Sequence, residues 1–217
     1  MWAGAERLPT REEWDAALLE RIGLALWERF QRATVAVCGL GGLGSHIAVS
    51  LARAGVGTLL LLDVDKVDLS NLNRQQYKAS QIGWEKPLAL AENLKEINPY
   101  LGLECHTLRL TPENIPSLLQ KADVICEAFD KAEEKAMLVN TVLEQLPQVT
   151  VVAASGMAGL GTGNSIRTWK VGKRLYLCGD GKSDVEDAGN LFAPRVMLCA
   201  AHQALAVLRV LAGELDV

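Results

Sequence analysis

Short apolar runs, typical of buried strands, alternate along the chain with amphipathic stretches, typical of helices. Connections of this kind are right-handed crossovers, so we expect a mainly parallel sheet with helices on both faces. The predicted strands lie at 34–38, 58–63, 102–109, 123–128 and 149–154, and the predicted helices at 44–54, 86–97 and 131–146, with a short one opened by Thr111 and Pro112.

The N-terminal part of the chain precedes this alternation. Residues 10–32 carry an amphipathic helical pattern, opened by Thr10 with Glu13 three residues later, which is the spacing of a capping box. We expect the apolar face of this helix to lie on the main domain or on a second subunit. The predicted organisation is therefore a helical extension at 1–32 and one α/β domain at 33–217.

Beyond Gly156 the regular alternation ends. Two strand-like runs at 165–171 and 174–178 are separated by a short Gly-Lys turn, which predicts a hairpin and an antiparallel edge to the sheet. A last helix is expected from Pro194 to about residue 211. The predicted fold class is therefore α/β: a Rossmann-like, doubly wound, mainly parallel sheet with antiparallel strands toward the C-terminus.

A glycine-rich turn at 39–45 follows the first predicted strand, and Asp63 ends the second. This order describes a nucleotide-binding βαβ unit, because glycines let the backbone approach phosphates and a helix N-terminus stabilises their charge. Gly42 is one glycine more than the dinucleotide fingerprint needs and permits the closer approach that a triphosphate requires. We therefore expect a nucleotide ligand. The glycines of this turn are Gly39, Gly41, Gly42 and Gly44.

Charged side chains follow the ends of two predicted strands. Segment 63–75 lies beyond the carboxyl end of a parallel strand, where open α/β sheets bind ligands, and its Arg74 offers a forked donor to phosphate. Lys86 begins a helix, where the macrodipole disfavours a cation unless an anion is bound. Asp130 is a suitable oxygen ligand for Mg²⁺ beside phosphates. The alternatives are a solvated loop at 63–75, a surface lysine at 86 and a helix N-cap at Asp130.

Composition narrows the range of partners. The formal charge is −4 without a clustered basic patch, which argues against nucleic acid and anionic membranes as partners. The chain starts without a signal-like apolar region and has no uninterrupted apolar stretch of membrane-spanning length, so we expect a cytoplasmic protein. Five cysteines occur without a Cys-x-x-Cys pair, which indicates buried free thiols.

Six short motifs occur in order along nearly the whole chain. They are Gly-Leu-Gly-Gly-Leu-Gly-Ser45, Leu-Leu-Asp-Val-Asp65, Ser-Asn-Leu-Asn-Arg-Gln75, Ile-Gly-Trp-Glu-Lys86, Ile-Asn-Pro99 and Glu-Ala-Phe-Asp130. Together they resemble the ThiF/MoeB/HesA family of ubiquitin-activating-type adenylyltransferases. The stretches that end at Asp130, Gly159 and Gly181 look most like the short ThiF branch of thiamine biosynthesis.

The resemblance implies a reaction. In this family the C-terminal Gly-Gly carboxylate of a small ubiquitin-fold sulfur carrier attacks the α-phosphate of ATP, which gives the carrier acyl-adenylate and pyrophosphate. For this chain the resemblance implies ATP and Mg²⁺ as ligands and a ThiS-like carrier of thiazole synthesis as substrate. It also implies a homodimer and a cysteine desulfurase as a further partner.

The resemblance also implies residue roles. The glycine turn would hold the phosphates, Asp63 the ribose hydroxyls and Asp130 the Mg²⁺ ion. An arginine near the N-terminus would reach into the neighbouring subunit's site, and Arg21 is the expected one, with Arg29 and Arg32 as alternatives. Arg74, Lys86, Asp130 and Arg21 are thus the expected catalytic residues. The triphosphate contacts would be made by Asn71, Arg74, Gln75 and Lys86.

Two departures from the family pattern restrict these expectations. Many members hold structural zinc with two Cys-x-x-Cys pairs, which this chain lacks, so no zinc is expected. Loop 179–193 also lacks the cysteine through which some relatives join the carrier covalently. Three other functions remain open: adenylation of a molybdopterin-type or tRNA-modification-type carrier, an NAD-dependent oxidoreductase, and a non-catalytic nucleotide sensor or scaffold.

Overall fold

The centre of the fold is a seven-stranded sheet, in a computed structural model that describes the backbone of residues 7–216 and their side chains except that of residue 186. The order across the sheet is β3-β2-β1-β4-β5-β7-β6, and neighbours are parallel except β7 and β6. The strands are β1 (Thr34–Cys38), β2 (Thr58–Asp63), β3 (Gly102–Thr107), β4 (Val124–Glu127), β5 (Thr150–Ala154), β6 (Arg167–Val171) and β7 (Leu175–Gly179).

The helices lie on both faces of this sheet. Strands β1 and β2 occupy the residues predicted for them. Of the predicted helical extension at 1–32 and the predicted domain at 33–217, residues 1–6 and 217 lie outside the described residues. The helices are α1 (Arg11–Ile22), α2 (Leu24–Arg32), α3 (Gly42–Ala54), α4 (Lys86–Ile97), α5 (Ile115–Leu119), α6 (Ala132–Gln145), α7 (Val185–Ala188) and α8 (Ala193–Ala212), with 3-10 turns at Leu69–Asn71, Ala79–Gln81 and Gly163–Ser165.

Alternation of side chains along β1 divides the core into two layers. Val35 and Val37 are fully buried among residues of α3, α4 and α8 on one face. Ala36 and Cys38 are buried against α5 and α6 on the other. Because successive side chains of a strand point to opposite faces, a fully apolar strand needs a helix layer on each side. The predicted doubly wound fold class is confirmed.

The N-terminal helical region contains two helices where a single one was predicted. The capping box is formed: the Thr10 hydroxyl accepts the Glu13 amide at 3.3 Å, and the Glu13 carboxylate accepts the Thr10 amide at 2.8 Å. The prediction of a continuous helix is wrong at Gly23, whose φ of +78° lies outside the helical region. Glycine adopts this conformation without the steric cost of a Cβ atom, so α1 ends there.

Helix α8 is the longest described helix and forms part of the core. By length and mean hydropathy of 1.4 it resembles a membrane span. It nevertheless buries two polar side chains, Arg195 and Gln203, and packs against α3 and β7. The Gln203 amide donates to the carbonyl oxygens of Glu127 at 3.0 Å and Val152 at 3.3 Å. These contacts are those of a core helix bonded to the end of β4 and to the middle of β5.

A buried ion pair joins the segment between β5 and β6 to the loop that follows β7. The Arg195 guanidinium lies 2.5 Å from the Asp180 carboxylate, and the two side chains are only 6% and 10% exposed. Arg195 also donates to the carbonyls of Gly161 at 2.6 Å and Thr162 at 2.9 Å. One guanidinium therefore fixes the β5–β6 connection, the loop after β7 and the first turn of α8 together.

Replacement of Asp180 by asparagine should destabilise the fold. The substitution leaves a buried guanidinium without its carboxylate, so we expect the free energy of unfolding to fall by about 3 kcal/mol. Urea denaturation at pH 7 measures this change. Burial raises the pKa of Asp180, but donors from Ser183, Lys182 and Arg195 outweigh it and lower the pKa from 3.8 to about 2.

A lowered folded-state pKa stabilises the protein above the unfolded pKa, and this stabilisation is lost as the pH falls toward 2. The stability difference between the wild type and Asp180→Asn should therefore shrink between pH 4 and 2. Asp187→Asn, at an exposed position of the nearby helix α7, serves as the control. Equal stability of wild type and Asp180→Asn at pH 7 would contradict the role of the pair.

Candidate nucleotide-binding site

A cleft of about 460 Å³ opens at the carboxyl ends of the parallel strands. It lies where β1 and β4 are neighbours and their following helices, α3 and α6, pack on opposite faces of the sheet. Such a topological switch point is the usual ligand site of an open α/β sheet. The predicted site residues that line the cleft are Gly39, Gly41, Gly42, Asp63, Asn71, Arg74, Gln75, Lys86 and Asp130.

The glycine turn brings backbone to the cleft at the N-terminus of α3. Helix α3 begins at Gly42 rather than at residue 44, and no side chain of the described residues caps it. Its first amides are therefore suited to an anion. Gly39 has a φ of +89°, and a Cβ atom there would lie 2.8 Å from the Ala128 carbonyl oxygen. The turn consequently passes too close to the end of β4 for any side chain.

Gly44 lies apart from the other three glycines of the turn, and its expected phosphate contact stays a prediction. It is absent from the cleft lining, and a Cβ atom on it would lie 1.8 Å from the carbonyl oxygen of Gly39. The structure thus places Gly44 behind the turn, where it allows α3 to pack on the strand. Gly44 therefore supports the glycine turn from the side away from the cleft.

Asp63 holds the glycine turn in place. Its carboxylate accepts the Leu40 amide at 2.6 Å and the Asp65 amide at 2.8 Å, and Tyr77 donates its hydroxyl to the Leu40 carbonyl at 2.8 Å. Burial raises the pKa of Asp63, and the nearby Lys86 ammonium opposes that increase. The Asp63 side chain is only 8% exposed, and its carboxylate bonds mainly to groups of the protein itself.

Lys86 is buried at the start of α4 and faces two carboxylates. Its Nζ lies 2.9 Å from Asp65 and 3.8 Å from Asp63, and its side chain is 7% exposed. These acids supply the negative charge that the helix position of Lys86 requires. Asp65, which sequence reasoning did not single out, is 65% exposed and lines the cleft. The sequence feature that could have indicated Asp65 is the Asp-x-Asp spacing at the end of β2.

Arg74 and Gln75 enter the cleft from the loop that follows the first 3-10 turn. The Arg74 guanidinium donates to the Ser70 carbonyl at 3.2 Å and to Asn73 Oδ1 at 2.8 Å, both within its own loop. Gln75 Oε1 is buried and has no hydrogen-bond partner within the described residues. A buried acceptor without a partner is costly, so this oxygen is suited to a ligand donor.

A second buried acid supports the turn that carries Asp130. Glu127, at the end of β4, is 1% exposed and accepts the Lys135 ammonium at 3.0 Å on both oxygens and the Phe129 amide at 2.7 Å. Burial raises the pKa of Glu127, against the effect of Lys135. The N-cap alternative for Asp130 is wrong, because α6 begins at Ala132 with Lys131 as N-cap. Asp130 is instead exposed at the cleft.

Sequence reasoning missed the pair formed by Glu127 and Lys135. Its signal was an acid inside an otherwise apolar strand, with a lysine eight residues later on the following helix. Such a pairing becomes visible only when strand and helix are packed together. Lys135 also lines the cleft, so the pair adds a cation to the site.

Apolar side chains complete the cleft. They come from strand ends, from connections and from helices α3, α6, α7 and α8, and they form a surface suited to a flat, uncharged ring. The apolar lining residues are Leu43, Leu62, Val64, Leu108, Leu110, Ala128, Phe129, Met137, Met157, Val185, Leu191 and Val196.

The N-terminal arginines lie outside this cleft lining. Arg21 is exposed in the last turn of α1, and Arg29 donates to the Ala212 carbonyl at the end of α8. Arg32 lies 3.9 Å from Glu28 on the helix surface. The role of Arg21 across a dimer therefore stays a prediction.

Metal ligands are sparse in the described part of the chain. Among the side chains that the structure describes, no group of three or more His, Cys, Asp or Glu is arranged to hold an ion. A Mg²⁺ ion that arrives with a nucleotide needs only one or two protein carboxylates, because phosphates and water supply the remaining oxygens. The exposed Asp130 fits that requirement. The cysteines Cys38, Cys105, Cys126, Cys178 and Cys199 are free thiols.

Comparisons with known proteins agree with this architecture. A sulfur carrier protein adenylyltransferase from Thermus thermophilus is 36% identical over 126 residues, which cover 56% of this chain and 46% of that protein. Ubiquitin-like modifier-activating enzyme 5 from Branchiostoma floridae is 32% identical over 168 residues, 71% of this chain and 41% of that enzyme. The chain thus spans less than half the length of these curated relatives.

Structural comparison supports the fold over almost the entire chain. The crystal structure of E. coli tRNA N6-threonylcarbamoyladenosine dehydratase, TcdA, in complex with ATP superposes with a TM-score of 0.83 at 20% identity. The superposition covers 96% of this chain and 98% of that one. In addition, the sequence model of the ThiF family matches residues 15–217. The chain therefore belongs to the ThiF family.

Proposed function

We propose that this protein binds ATP in the cleft and adenylylates the C-terminal carboxylate of a small carrier protein. The observation that carries the proposal is the arrangement of two cations, Arg74 and Lys86, from separate segments around an uncapped helix N-terminus built of glycines. A triphosphate uses all three features. The Thermus relative, named as an adenylyltransferase of a sulfur carrier protein, supports the same reaction class.

ATP fits the donors and acceptors of the cleft. The first amides of α3 suit a phosphate, and the apolar lining suits the base. Two carboxylates at the end of β2 suit the ribose hydroxyls: Asp63, which is nearly buried, and Asp65, which is open to solvent. The unpartnered Gln75 Oε1 offers one further acceptor. TcdA, a fold neighbour, was crystallised with ATP.

The reaction needs charge neutralisation more than a protein nucleophile. An oxygen of the carrier carboxylate forms a bond to the α-phosphorus, and the bond from that phosphorus to the pyrophosphate oxygen breaks. Arg74 and Lys86 would offset the negative charge that grows on the leaving pyrophosphate. Mg²⁺, when bound, neutralises phosphate charge, and Asp130 would hold it.

The finer assignment concerns the carrier and the assembly. We propose a ThiS-like, Gly-Gly-ended sulfur carrier of thiamine thiazole synthesis as the substrate, a cysteine desulfurase as the sulfur-supplying partner, and a homodimer in which Arg21 reaches the neighbouring site. The motifs around Asp130, Gly159 and Gly181 support the ThiF branch. Carriers of the molybdopterin or tRNA-modification type are the alternatives within the same chemistry.

The direct test is ATP–pyrophosphate exchange with Mg²⁺, with and without a purified ThiS-like carrier. We expect exchange of radiolabelled pyrophosphate into ATP only when the carrier is present, because the acyl-adenylate must form and reverse. A carrier that lacks its terminal glycine is the control. ATP binding without exchange for any Gly-Gly-ended carrier would favour a nucleotide sensor, and binding of NADH instead of ATP would favour an oxidoreductase.

Removal of either proposed phosphate cation should slow the reaction. We expect Lys86→Ala and Arg74→Ala each to reduce kcat/KM for exchange by about 100-fold or more, the usual effect of losing one preorganised electrostatic donor. Lys78→Ala, which removes an exposed lysine paired with Glu96, is the matched control. Wild-type turnover in both site variants would remove these residues from the mechanism.

Asp65 offers a test of the ribose contact. If its carboxylate accepts the ribose hydroxyls, Asp65→Ala should weaken ATP binding by about tenfold, the scale of a hydrogen bond to a charged group. Calorimetric titration should also show that the variant no longer distinguishes ATP from 2′,3′-dideoxy-ATP, whereas the wild type does. An undiminished preference for ATP in the variant would leave Asp63 as the ribose acid.

A further inference from the structure

His46, at the start of the second turn of α3, contacts the segment that carries Arg74. Its Nε2 lies 3.2 Å from the Arg74 carbonyl oxygen, and its Nδ1 lies 2.8 Å from the Gln76 amide nitrogen. A carbonyl only accepts and an amide NH₂ only donates, so the two bonds require a neutral imidazole with its hydrogen on Nε2. Burial lowers the pKa of His46, which favours this neutral form.

Gln76 is held at three points by the helices on either side of it. Its backbone amide donates to the Ser45 hydroxyl at 3.2 Å, and its side chain donates to His46, both on α3. Its carbonyl accepts the Asn93 side chain at 2.8 Å, from α4. Residues 74–76 are therefore tied to the glycine-turn helix and to the helix that begins with Lys86.

The hydrogen bonds of the Arg74 side chain do not reach the glycine turn, although a Cβ atom on Gly42 would lie 3.6 Å from the Arg74 Cγ atom. Its guanidinium bonds stay within its own loop, at Ser70 and Asn73. The Arg74 backbone lies over the first turn of α3, where a Cβ atom on Gly42 would be 3.6 Å from the Arg74 carbonyl oxygen. The bond from His46 to that carbonyl is therefore one of the contacts that hold the Arg74 backbone against the first turn of α3, and it is the one made to Arg74 itself by a side chain of that helix.

We propose that His46 is a positioning residue, which places Arg74 over the N-terminus of α3 for nucleotidyl transfer. This inference rests on the proposed function for the role of Arg74. Effective charge stabilisation requires a cation held close to its productive geometry, so a loop free to shift by about 1 Å would lose most of its effect. His46 supplies two of the bonds that prevent such a shift.

Three variants separate positioning from packing. His46→Leu keeps an apolar side chain of comparable bulk and removes both bonds, and we expect it to lower kcat for ATP–pyrophosphate exchange about tenfold or more with little change in Tm. His46→Gln keeps an amide NH₂ that reaches the Arg74 carbonyl and should restore most of the rate. His106→Leu, a half-buried histidine of β3 outside the site, is the matched control and should match the wild type.

A double-variant comparison shows whether His46 acts through Arg74. Residues that act through one another have non-additive effects, so His46→Leu should have little further effect in an Arg74→Ala background. A full tenfold loss in that background, or a rate in His46→Gln as low as in His46→Leu, would overturn the proposal.

Hydrogen exchange provides a readout that does not depend on activity. The amides of residues 71–77 should exchange faster in His46→Leu than in the wild type or in His106→Leu. If the wild type failed to catalyse exchange of pyrophosphate, the proposed function would fall while this measurement still reported on the loop. Unchanged protection of residues 71–77 in His46→Leu would overturn the positioning role by itself.

Discussion

The amide of Leu40 donates to the carboxylate of Asp63 over 2.6 Å, and much of the site depends on this one hydrogen bond. It connects the turn after β1 to the end of β2 at the point where the two strands separate. The Tyr77 hydroxyl donates to the carbonyl of the same residue, Leu40, and the Lys86 ammonium opposes the increase that burial causes in the pKa of Asp63. The conformation of the glycine turn is consequently fixed by the side chains of Asp63 and Tyr77.

Local signals were sufficient for most of the fold. β1, β2 and α4 begin and end as predicted, because apolar alternation is interrupted there by glycine, by acids and by an Asn-Pro pair. The break at Gly23 was missed because one glycine in an amphipathic pattern does not reveal its φ. The early start of α3 at Gly42 was missed for the opposite reason: glycines disfavour helix intrinsically, and here packing on β1 overrides that preference.

The site was predicted less completely than the fold. Motif order identified the residues that line the cleft, such as Arg74 and Lys86, but not their partners. The contacts of Lys86 with Asp65, of Glu127 with Lys135 and of His46 with the Arg74 carbonyl join residues from different elements. Sequence spacing carries no signal for such pairs until the sheet is assembled. Arg21 belongs to the same class, because its proposed contact requires a second subunit.

Strand order has a consequence for how the chain acquires its final form during translation. β7 lies between β5 and β6 in the sheet, although it is synthesised after both. On a ribosome, β6 therefore emerges before the strand that it pairs with in the folded sheet, and β7 must later take the place between β6 and β5. The connections that close the apolar part of the cleft lie on either side of this hairpin, so a nascent chain that has completed the glycine turn still lacks one wall of its nucleotide site.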